Sequence, residues 1–324
     1  MKSKVRVDAP SNIALIKYMG KSSTKDNVPS NPSLSWTLNH LWTSVEIEEK
    51  SSGSDEWQVL TDQNLYPLQL SPEGQKRFLA HLNLVKERLG YSGSFIVRSA
   101  NNFPMDCGLA SSASSFAALT KAAVHFISGP ETLTTAQMSL LSRWGSGSSC
   151  RSFYSPWALW EGTHAQEFQA PAAFTDLVHI CVVVGSQKKE VSSSQAHSLV
   201  TSSLLFQNRV TRVRQRMTEL IKAIQDQNWP AMYMLCWQEF WDMHSLFETS
   251  RPPFGYINAH SLKVLRQIQA IWKKHNDGPV VTMDAGPNVH LLLRSDQKDM
   301  AWQIIDQWRK EYRILHSLTP KGRY

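Results

Sequence analysis

The sequence predicts an α+β fold, in which strands and helices are mixed without strict alternation. Alternating apolar and polar residues open the chain at Val5–Ala9, whereas apolar residues at helical spacing dominate the second half. Of the 324 residues, 42% are hydrophobic and 19% are charged, a composition typical of globular proteins. This length is enough for one large or two medium domains.

Further strands are predicted in the first hundred residues. In LSWTLNHLWTSVEIEE (34–49), Thr43, Val45 and Ile47 face one way and the residues between them face the other. Shorter strand patterns occur at WQVL (57–60) and SFIVRS (94–99). Between these, apolar residues recur at helical spacing and predict a helix; they are Phe78, Leu82, Val85 and Leu89.

The middle of the chain combines turns with apolar segments. An alanine-rich stretch predicts a helix with a narrow buried stripe, formed by Ala113, Phe116, Ala117, Thr120 and Val124. A short helical pattern leads into the glycine–serine turn at 144–152, and the apolar run LVHICVVV (177–184) predicts a buried strand.

The second half predicts two amphipathic helices and a strand–loop–strand unit. The helical stripes are Val210, Val213, Met217, Leu220, Ile221 and Ile224, then Leu262, Leu265, Ile268 and Ile271. Two apolar runs, 280–283 and 289–293, flank the turn-forming DAGPN. A break in the pattern at SQKKEVSSSQ (186–195) predicts an N-terminal domain of residues 1–188 and a C-terminal domain of residues 189–324.

Charge and cysteine content exclude several classes of protein. The net charge of +7 suits an anionic small molecule, and no run interleaves aromatic and basic residues as in a nucleic-acid groove. The four cysteines are widely spaced, which argues against a disulfide scaffold or a cysteine zinc site. No secretory signal or membrane-length apolar run is present, so we expect a soluble, cytoplasmic protein without nucleic-acid or membrane partners.

Three segments could bind an anion. Gly108–Ser115 is a candidate phosphate cradle, although a capped helix packed through small residues would look the same. Gly145–Arg151 adds a guanidinium that could grip a carboxylate or phosphate, or that could lie at the surface beside a turn. Lys17, Tyr18 and Lys21 could hold a phosphate or could form a solvated strand end.

Other candidates are weaker when taken singly. Asp284 could act as a general base in a cleft or could cap the following turn. Four arginines, Arg209, Arg212, Arg214 and Arg216, are expected on a solvated helix face. Walker, Rossmann, HExxH and GxSxG motifs are absent, and no dedicated metal site is predicted.

The order of these segments resembles the diphosphomevalonate decarboxylase family of the GHMP kinase superfamily. The resemblance rests on APSNIALIKYMGK, NVPSNPSLSWTL, NNFPMDCGLASSASSFAAL, GSGSSCRS and MDAGPNVHLLL, and it spans residues 9–293. It implies an N-terminal ribosomal-protein-S5-domain-2-like domain and a C-terminal ferredoxin-like domain, with the active site between them. It also implies ATP-dependent decarboxylation of (R)-5-diphosphomevalonate through phosphorylation of its 3-hydroxyl.

The resemblance also implies the roles of individual residues. Asp284 would deprotonate or orient the 3-hydroxyl, Lys17 would stabilise the transferred phosphoryl group, and Arg151 would hold the substrate carboxylate. The implied substrate-binding residues are Tyr18, Lys21, Ser146, Gly147, Ser148, Ser192 and Ser193. The implied ATP-binding residues are Pro104, Gly108, Leu109, Ala110, Ser111 and Ser112, with Mg2+ on the phosphates and no protein metal ligand assigned. A homodimer is also implied.

Three departures from the family pattern leave the substrate open. Met19 stands where the family has tryptophan, Pro32 interrupts a familiar Asn-Ser-Ser, and Ala196-His197 replace Gly-Met. A phosphomevalonate decarboxylase, or a GHMP kinase that acts on a mevalonate-like substrate and stops after phosphorylation, therefore stays an alternative. A catalytically idle relative is the alternative outside the enzymes, although Asp284 and Arg151 are both present.

Overall fold

A computed structural model describes residues 4–23, 26–104, 111–185 and 190–319. Within these ranges the protein has eight α-helices and thirteen β-strands. The strands form one seven-stranded sheet, one four-stranded sheet and a short two-stranded sheet. The predicted mixture of strands and helices is confirmed.

The larger sheet is built around a long antiparallel pair, β1 (Lys4–Ile16) and β4 (Ser33–Lys50). Its strand order is β5-β7-β4-β8-β9. In addition, β1 pairs with β4, and β6 pairs with β7. These other strands are β5 (Glu56–Val59), β6 (Tyr66–Pro67), β7 (Ser94–Asn101), β8 (Trp157–Glu161) and β9 (His164–Glu167). The separate hairpin consists of β2 (Lys21–Ser23) and β3 (Val28–Pro29).

Three helices pack together in the half of the molecule that contains the larger sheet. They are α1 (Pro72–Arg88), α2 (Ser111–Ile127) and α3 (Thr135–Gly145). Ser71 caps the start of α1 by accepting a hydrogen bond from the Gly74 amide. Pro72, the first residue of the helix, has no main-chain N–H that would need an acceptor there. The predicted stripe of α2 is buried from Ala113 to Val124. It packs against Phe78, Leu82 and Val85, which belong to the stripe that the sequence predicts for α1.

The smaller sheet has the order β11-β12-β10-β13. Its strands are β10 (Val178–Val183), β11 (Val280–Thr282), β12 (Val289–Leu293) and β13 (Arg313–His316). The helices of this half are α4 (Ser193–Leu199), α5 (Arg209–Gln225), α6 (Trp229–Glu248), α7 (Ala259–His275) and α8 (Lys298–Trp308). β10 comes before residue 188, the predicted limit between the two domains, yet it pairs with β12 and β13 of the C-terminal half. The division into two domains at this residue stays a prediction.

The two halves meet at the end of β1. Ile13 and Leu15 share one apolar core with Val280 and Val281 of β11. The hydroxyl of Thr282 donates a 2.9 Å hydrogen bond to the main-chain carbonyl of Ala14. This contact fixes the end of β11 beside the end of β1, so the residues that follow the two strands lie close together.

The prediction that four arginines lie on a solvated helix face is wrong for Arg209. Its side chain is fully buried and its Nη2 donates a 2.8 Å hydrogen bond to Glu239 of α6. Arg212 and Arg216 share that face of α5 because they follow at steps of three and four, and both pair with Asp242. Arg214 points the other way and is exposed.

Within the described ranges, no helix combines the length and the apolar character needed to cross a membrane.

Candidate active site

A cavity of about 330 Å3 brings together residues from seven separate parts of the chain. Most of the residues that the resemblance implicates line it: Lys17, Tyr18, Lys21, Ser111, Ser112, Ser146, Gly147, Ser148, Arg151, Ser192, Ser193 and Asp284. Pro104 is described but is not part of this lining. Gly108, Leu109 and Ala110 lie outside the described residues, so the centre of the candidate phosphate cradle is not described.

Lys17 and Asp284 form an ion pair in the cavity wall. Lys17 Nζ donates a 2.8 Å hydrogen bond to Asp284 Oδ1, and the two side chains are 2% and 30% exposed. Burial alone would raise the pKa of Asp284, but Lys17, through its charge and its hydrogen bond, together with His290 and Arg151 outweighs burial, so the pKa is lowered. Burial lowers the pKa of Lys17 more than Asp284 raises it. The carboxylate is therefore ionised and opens onto the cavity.

Arg151 is buried rather than at the surface, and neutral groups orient it. It lies in the 3₁₀ helix Gly147–Phe153, where Nη1 donates to the Ser33 hydroxyl at 2.8 Å. Its Nε and Nη2 both donate to Oδ1 of Asn12, at 3.2 and 3.1 Å. Burial lowers its pKa, and no carboxylate among the described residues hydrogen-bonds to it. A buried guanidinium held only by neutral partners is suited to an anionic ligand.

Tyr18 and Gly147 approach each other closely. A Cβ atom added at Gly147 would lie 2.7–2.9 Å from atoms of the Tyr18 ring and hydroxyl, so only glycine fits there. The Tyr18 hydroxyl is buried and has no hydrogen-bond partner among the described residues, and burial raises its pKa. A buried hydroxyl without a partner at a cavity wall is a donor available to a ligand.

A second group of cations lies farther along the cavity. Lys21 Nζ donates to Asn27 Oδ1 at 2.7 Å. Arg77 Nη2 donates to the Gly145 carbonyl at 2.7 Å, and its Nη1 lies 3.4 Å from the hydroxyl of Ser194. Across the described part of the chain, neither cation has a carboxylate partner. An adjoining cavity of about 320 Å3 shares Lys21, Asn27, Arg77 and Ser194 with the first.

The three serines at the start of α4 line the same cavity. Ser192 caps the helix, with its hydroxyl accepting from the Gln195 amide at 3.3 Å. His197 of this helix accepts a hydrogen bond from the Gly20 amide at Nδ1, at 3.0 Å. Burial lowers the pKa of His197 to about 3, so the ring is neutral and carries its proton on Nε2.

Ser111 and Ser112 supply another part of the cavity wall. They open α2, whose first amides have no partner within the helix. Serine hydroxyls, helix-end amides and the unpaired cations together form a set of donors suited to phosphate oxygens. Among the described residues, no group of three or more His, Cys, Asp or Glu side chains could hold a metal ion.

Sequence reasoning missed Asn12, Asn27 and Arg77 as site residues. Asn12 lies within the buried half of β1, and its amide also donates to the Ser152 hydroxyl at 2.8 Å. Arg77 lies on α1 directly before Phe78 of the apolar stripe, far in sequence from its partner Gly145. Only the polar character of Asn12, directly before the apolar run at 13–16, was a usable sequence signal.

Two protein-family models match this chain. The model of the diphosphomevalonate decarboxylase-like N-terminal domain matches residues 9–170. The model of the mevalonate 5-diphosphate decarboxylase C-terminal domain matches residues 178–318.

Individual relatives match nearly the whole chain. The crystal structure of a mevalonate diphosphate decarboxylase from Legionella pneumophila is 47% identical, covers 96% of this chain and 100% of its own, and has a TM-score of 0.90. Diphosphomevalonate decarboxylase from Candida albicans is 30% identical over 92% of this chain and 86% of its own. The structure of MDDEF in complex with MVAPP, AMPPCP and magnesium is 25% identical, covers 98% of this chain and 99% of its own, and has a TM-score of 0.83.

These similarities confirm the α+β GHMP kinase fold that the sequence predicts. The two family models together account for most of the chain, and they meet in the interval before β10. The chain belongs to the diphosphomevalonate decarboxylase family.

Proposed function

We propose that the protein catalyses the ATP-dependent decarboxylation of (R)-5-diphosphomevalonate to isopentenyl diphosphate, a step of the mevalonate pathway in isoprenoid biosynthesis. The observation that carries this proposal is the Lys17–Asp284 ion pair at 2.8 Å in a cavity that Arg151 also lines. A carboxylate, an ammonium and a guanidinium converging on one cavity match the reaction's needs for a base, a phosphoryl contact and a carboxylate contact.

Asp284 prepares the 3-hydroxyl group of the substrate. Tertiary alcohols are weak nucleophiles, so a carboxylate within hydrogen-bond reach accelerates phosphoryl transfer by accepting the hydroxyl proton. The lowered pKa of Asp284 keeps it ionised at neutral pH. The product of this first step is a 3-phosphorylated intermediate.

Lys17 stabilises negative charge beside Asp284. Its ammonium group holds the carboxylate in place and faces the region where the transferred phosphoryl group carries charge. In the second step the bond between C3 and the phosphate oxygen breaks, and phosphate leaves with its electron pair. The bond between C2 and the carboxyl carbon then supplies the electrons of the new double bond, and CO2 leaves.

Arg151 holds the substrate carboxylate until CO2 departs. Asn12 and Ser33 fix the plane of its guanidinium, which can then offer parallel N–H groups to a carboxylate. Ser146, Gly147 and Ser148 precede it in the same cavity wall and supply further donors.

Lys21, Arg77 and Tyr18 bind the terminal phosphates of the substrate, together with the serines of α4. Two cations without a carboxylate partner and one hydroxyl without a partner support this assignment. Phosphate oxygens satisfy such donors through charge-assisted hydrogen bonds. Arg77 is the member of this group that the sequence did not indicate.

ATP with Mg2+ supplies the phosphoryl group, and Ser111 and Ser112 at the start of α2 lie where its phosphates would be held. When bound, Mg2+ neutralises charge on the phosphates during transfer. The AMPPCP and magnesium bound to MDDEF support this choice of nucleotide and metal.

The test is to measure ADP, phosphate and CO2 release with ATP and Mg2+, comparing 5-diphosphomevalonate with 5-phosphomevalonate. Equal amounts of ADP, phosphate and CO2 from the diphosphate are expected. Release of ADP without phosphate or CO2 would identify a kinase. Turnover with the monophosphate alone would identify a phosphomevalonate decarboxylase and would direct attention to Met19, which is buried in the cavity wall.

We also propose that the enzyme acts in the cytoplasm as a homodimer. Among the described residues, Cys150, Cys181 and Cys236 are buried and form no disulfide bond, which supports a reducing compartment. Sedimentation of the purified protein tests the dimer.

A further inference from the structure

Helix α6 contacts Lys17 and Asp284, the reactive pair in the cavity wall, from behind the cavity. Oε1 of Glu239 accepts a 3.1 Å hydrogen bond from the main-chain amide of Lys17. Nε2 of His244 lies 3.1 Å from the main-chain carbonyl of Asp284. Because a carbonyl can only accept, His244 is the donor in that bond. One rigid helix is thereby attached to the backbone of both residues.

Arg209 of α5 completes the contact with Lys17. Its Nη2 donates to Glu239 Oε1 at 2.8 Å and lies 3.5 Å from the Lys17 carbonyl. The amide and the carbonyl of Lys17 therefore both face this ion pair. Neither Arg209 nor Glu239 is exposed, and neither is part of the cavity lining. They cannot touch the substrate.

An ion pair at this depth needs an explanation other than stability. Desolvation of two buried charges offsets their attraction, and apolar residues of similar volume commonly replace such pairs without loss of stability. Further charges surround the pair: Arg216 donates to the second oxygen of Glu239, and Arg216 and Arg209 both approach Asp242. This network joins α5 rigidly to α6.

We propose that Glu239, Arg209 and His244 are positioning residues that hold Lys17 and Asp284 at their working separation. Glu239 and Arg209 fix the backbone from which the Lys17 side chain extends, and His244 fixes the backbone of Asp284. A displacement of about 1 Å between reacting groups can cost about 100-fold in rate. This inference rests on the proposed function, since it assigns a role toward that reactive pair.

Charged groups around Lys17, Glu239 among them, also shift its pKa. The charged groups that act on Lys17 are Asp284 after β11, Arg151 of the 3₁₀ helix and Glu239 of α6. Asp284 and Glu239 raise the pKa of Lys17, whereas burial and Arg151 lower it. Removing the charge of Glu239 therefore lowers the pKa of Lys17, and so does a longer distance between Lys17 and Asp284.

The test is a pair of double variants that leave no buried charge alone. Arg209→Met/Glu239→Met removes both charges and every acceptor for the Lys17 amide, while Arg216 keeps Asp242 as its partner. Arg209→Met/Glu239→Gln retains a carbonyl acceptor for that amide. We expect the first variant to lose at least about tenfold in kcat with KM within about twofold, and the second to recover much of that loss.

Two further comparisons complete the design. His244→Phe is expected to lower kcat, and His244→Gln, which keeps an N–H donor, to restore part of it. Lys222→Met/Asp226→Leu removes an exposed ion pair from α5, where the charges are 2.6 Å apart, and is expected to leave kcat unchanged. Circular dichroism melting of every variant identifies any that fails to fold. If a double variant fails to fold, the His244→Phe and His244→Gln variants provide the decisive comparison.

A readout that needs no turnover separates this inference from the proposed function. The pKa of Lys17 can be followed by NMR of its ε-carbon, assigned with Lys17→Arg. This variant removes one positive and one negative charge, whose direct effects on the pKa of Lys17 oppose each other. A lower pKa in Arg209→Met/Glu239→Met therefore indicates a longer distance between Lys17 and Asp284 and supports the coupling whatever the reaction is. An unchanged pKa and an unchanged kcat in a folded variant would overturn the positioning role. An inactive wild type whose Lys17 pKa responds to the variant would instead overturn only the proposed reaction.

Discussion

Asn12 Oδ1 accepts hydrogen bonds from both Nε and Nη2 of Arg151, at 3.2 and 3.1 Å. A single amide oxygen thus fixes the plane of the guanidinium, and Ser33 holds its remaining branch at 2.8 Å. Since all these partners are neutral, the positive charge of Arg151 is left for a ligand. The arrangement orients an anion-binding group without neutralising it.

Asn12→Ala is expected to release Arg151 from this orientation. The guanidinium would rotate within a buried space, so the KM for the phosphorylated mevalonate should rise by about tenfold, or about 1.4 kcal/mol. Initial rates over a range of substrate concentrations measure it. Asn39→Ala is the matched control, because the Asn39 amide donates only to the exposed Ser155 hydroxyl at 3.0 Å. Equal KM values for wild type and Asn12→Ala would contradict the orienting role.

Asp284→Asn should abolish most turnover while leaving binding intact. The amide keeps the shape of the side chain but cannot accept the hydroxyl proton, and general-base catalysis contributes about 10²–10⁴-fold. Single-turnover measurements give the rate, and calorimetric titration with substrate gives the affinity. A variant that turns over at the wild-type rate would remove Asp284 from the mechanism.

The motifs that carry the family resemblance indicated much of this site. Lys17, Arg151 and Asp284 each lie in one of these short segments, and the structure places all three at one cavity. The strands next to Lys17 and Asp284 were predictable because alternation and apolar runs are local properties of a sequence. The long β1–β4 pair then brings the segments together.

What the sequence did not indicate depends on contacts between distant residues. Arg77 meets Gly145 across 68 positions and Asn12 meets Arg151 across 139, and no local spacing encodes such pairs. Arg209 was expected in solvent because arginine on an amphipathic helix usually lies there. Its burial depends on Glu239 of α6, whose apolar residues occur on several faces and so give no clear helical stripe.

Arg77→Gln should weaken binding of the diphosphate more than of the monophosphate. Arg77 lies with Lys21 at the part of the cavity assigned to the terminal phosphates, and a charge-assisted hydrogen bond contributes about 1.5–3 kcal/mol. The KM for the diphosphate is therefore expected to rise by at least about tenfold. Lys76→Gln, an exposed neighbour on α1, is the control. An equal rise for both substrates would place Arg77 away from the terminal phosphate.

Gly147→Ala tests the close approach of the 3₁₀ helix to Tyr18. The added methyl group would lie 2.7–2.9 Å from the tyrosine ring and hydroxyl, so the ring must move. We expect a higher KM for the substrate and a lower melting temperature, measured by kinetics and by calorimetry. Gly74→Ala is the control, since a Cβ there has its nearest neighbour at 3.4 Å and lies on a helix that favours alanine. A variant with wild-type KM would show that Tyr18 does not contact the substrate.

Three histidines, the half-buried His40 and the buried His179 and His290, connect β4, β10 and β12 and should make the protein acid-sensitive. His179 Nδ1 lies 3.1 Å from His40 Nε2, and its Nε2 lies 3.0 Å from His290 Nδ1. Burial lowers the pKa of all three, to about 4 for His40 and His290. Because the folded state favours the neutral rings, their contribution is complete above the unfolded pKa of about 6.5. It is lost as the pH falls from there toward 4, where the unfolded chain binds more protons.

The free energy of unfolding, measured by urea denaturation between pH 7.5 and 4.5, should fall steeply, and His179→Gln should flatten this slope. The exposed His164→Gln should leave the slope unchanged; if His179→Gln behaved in the same way, His179 would not contribute to the acid sensitivity.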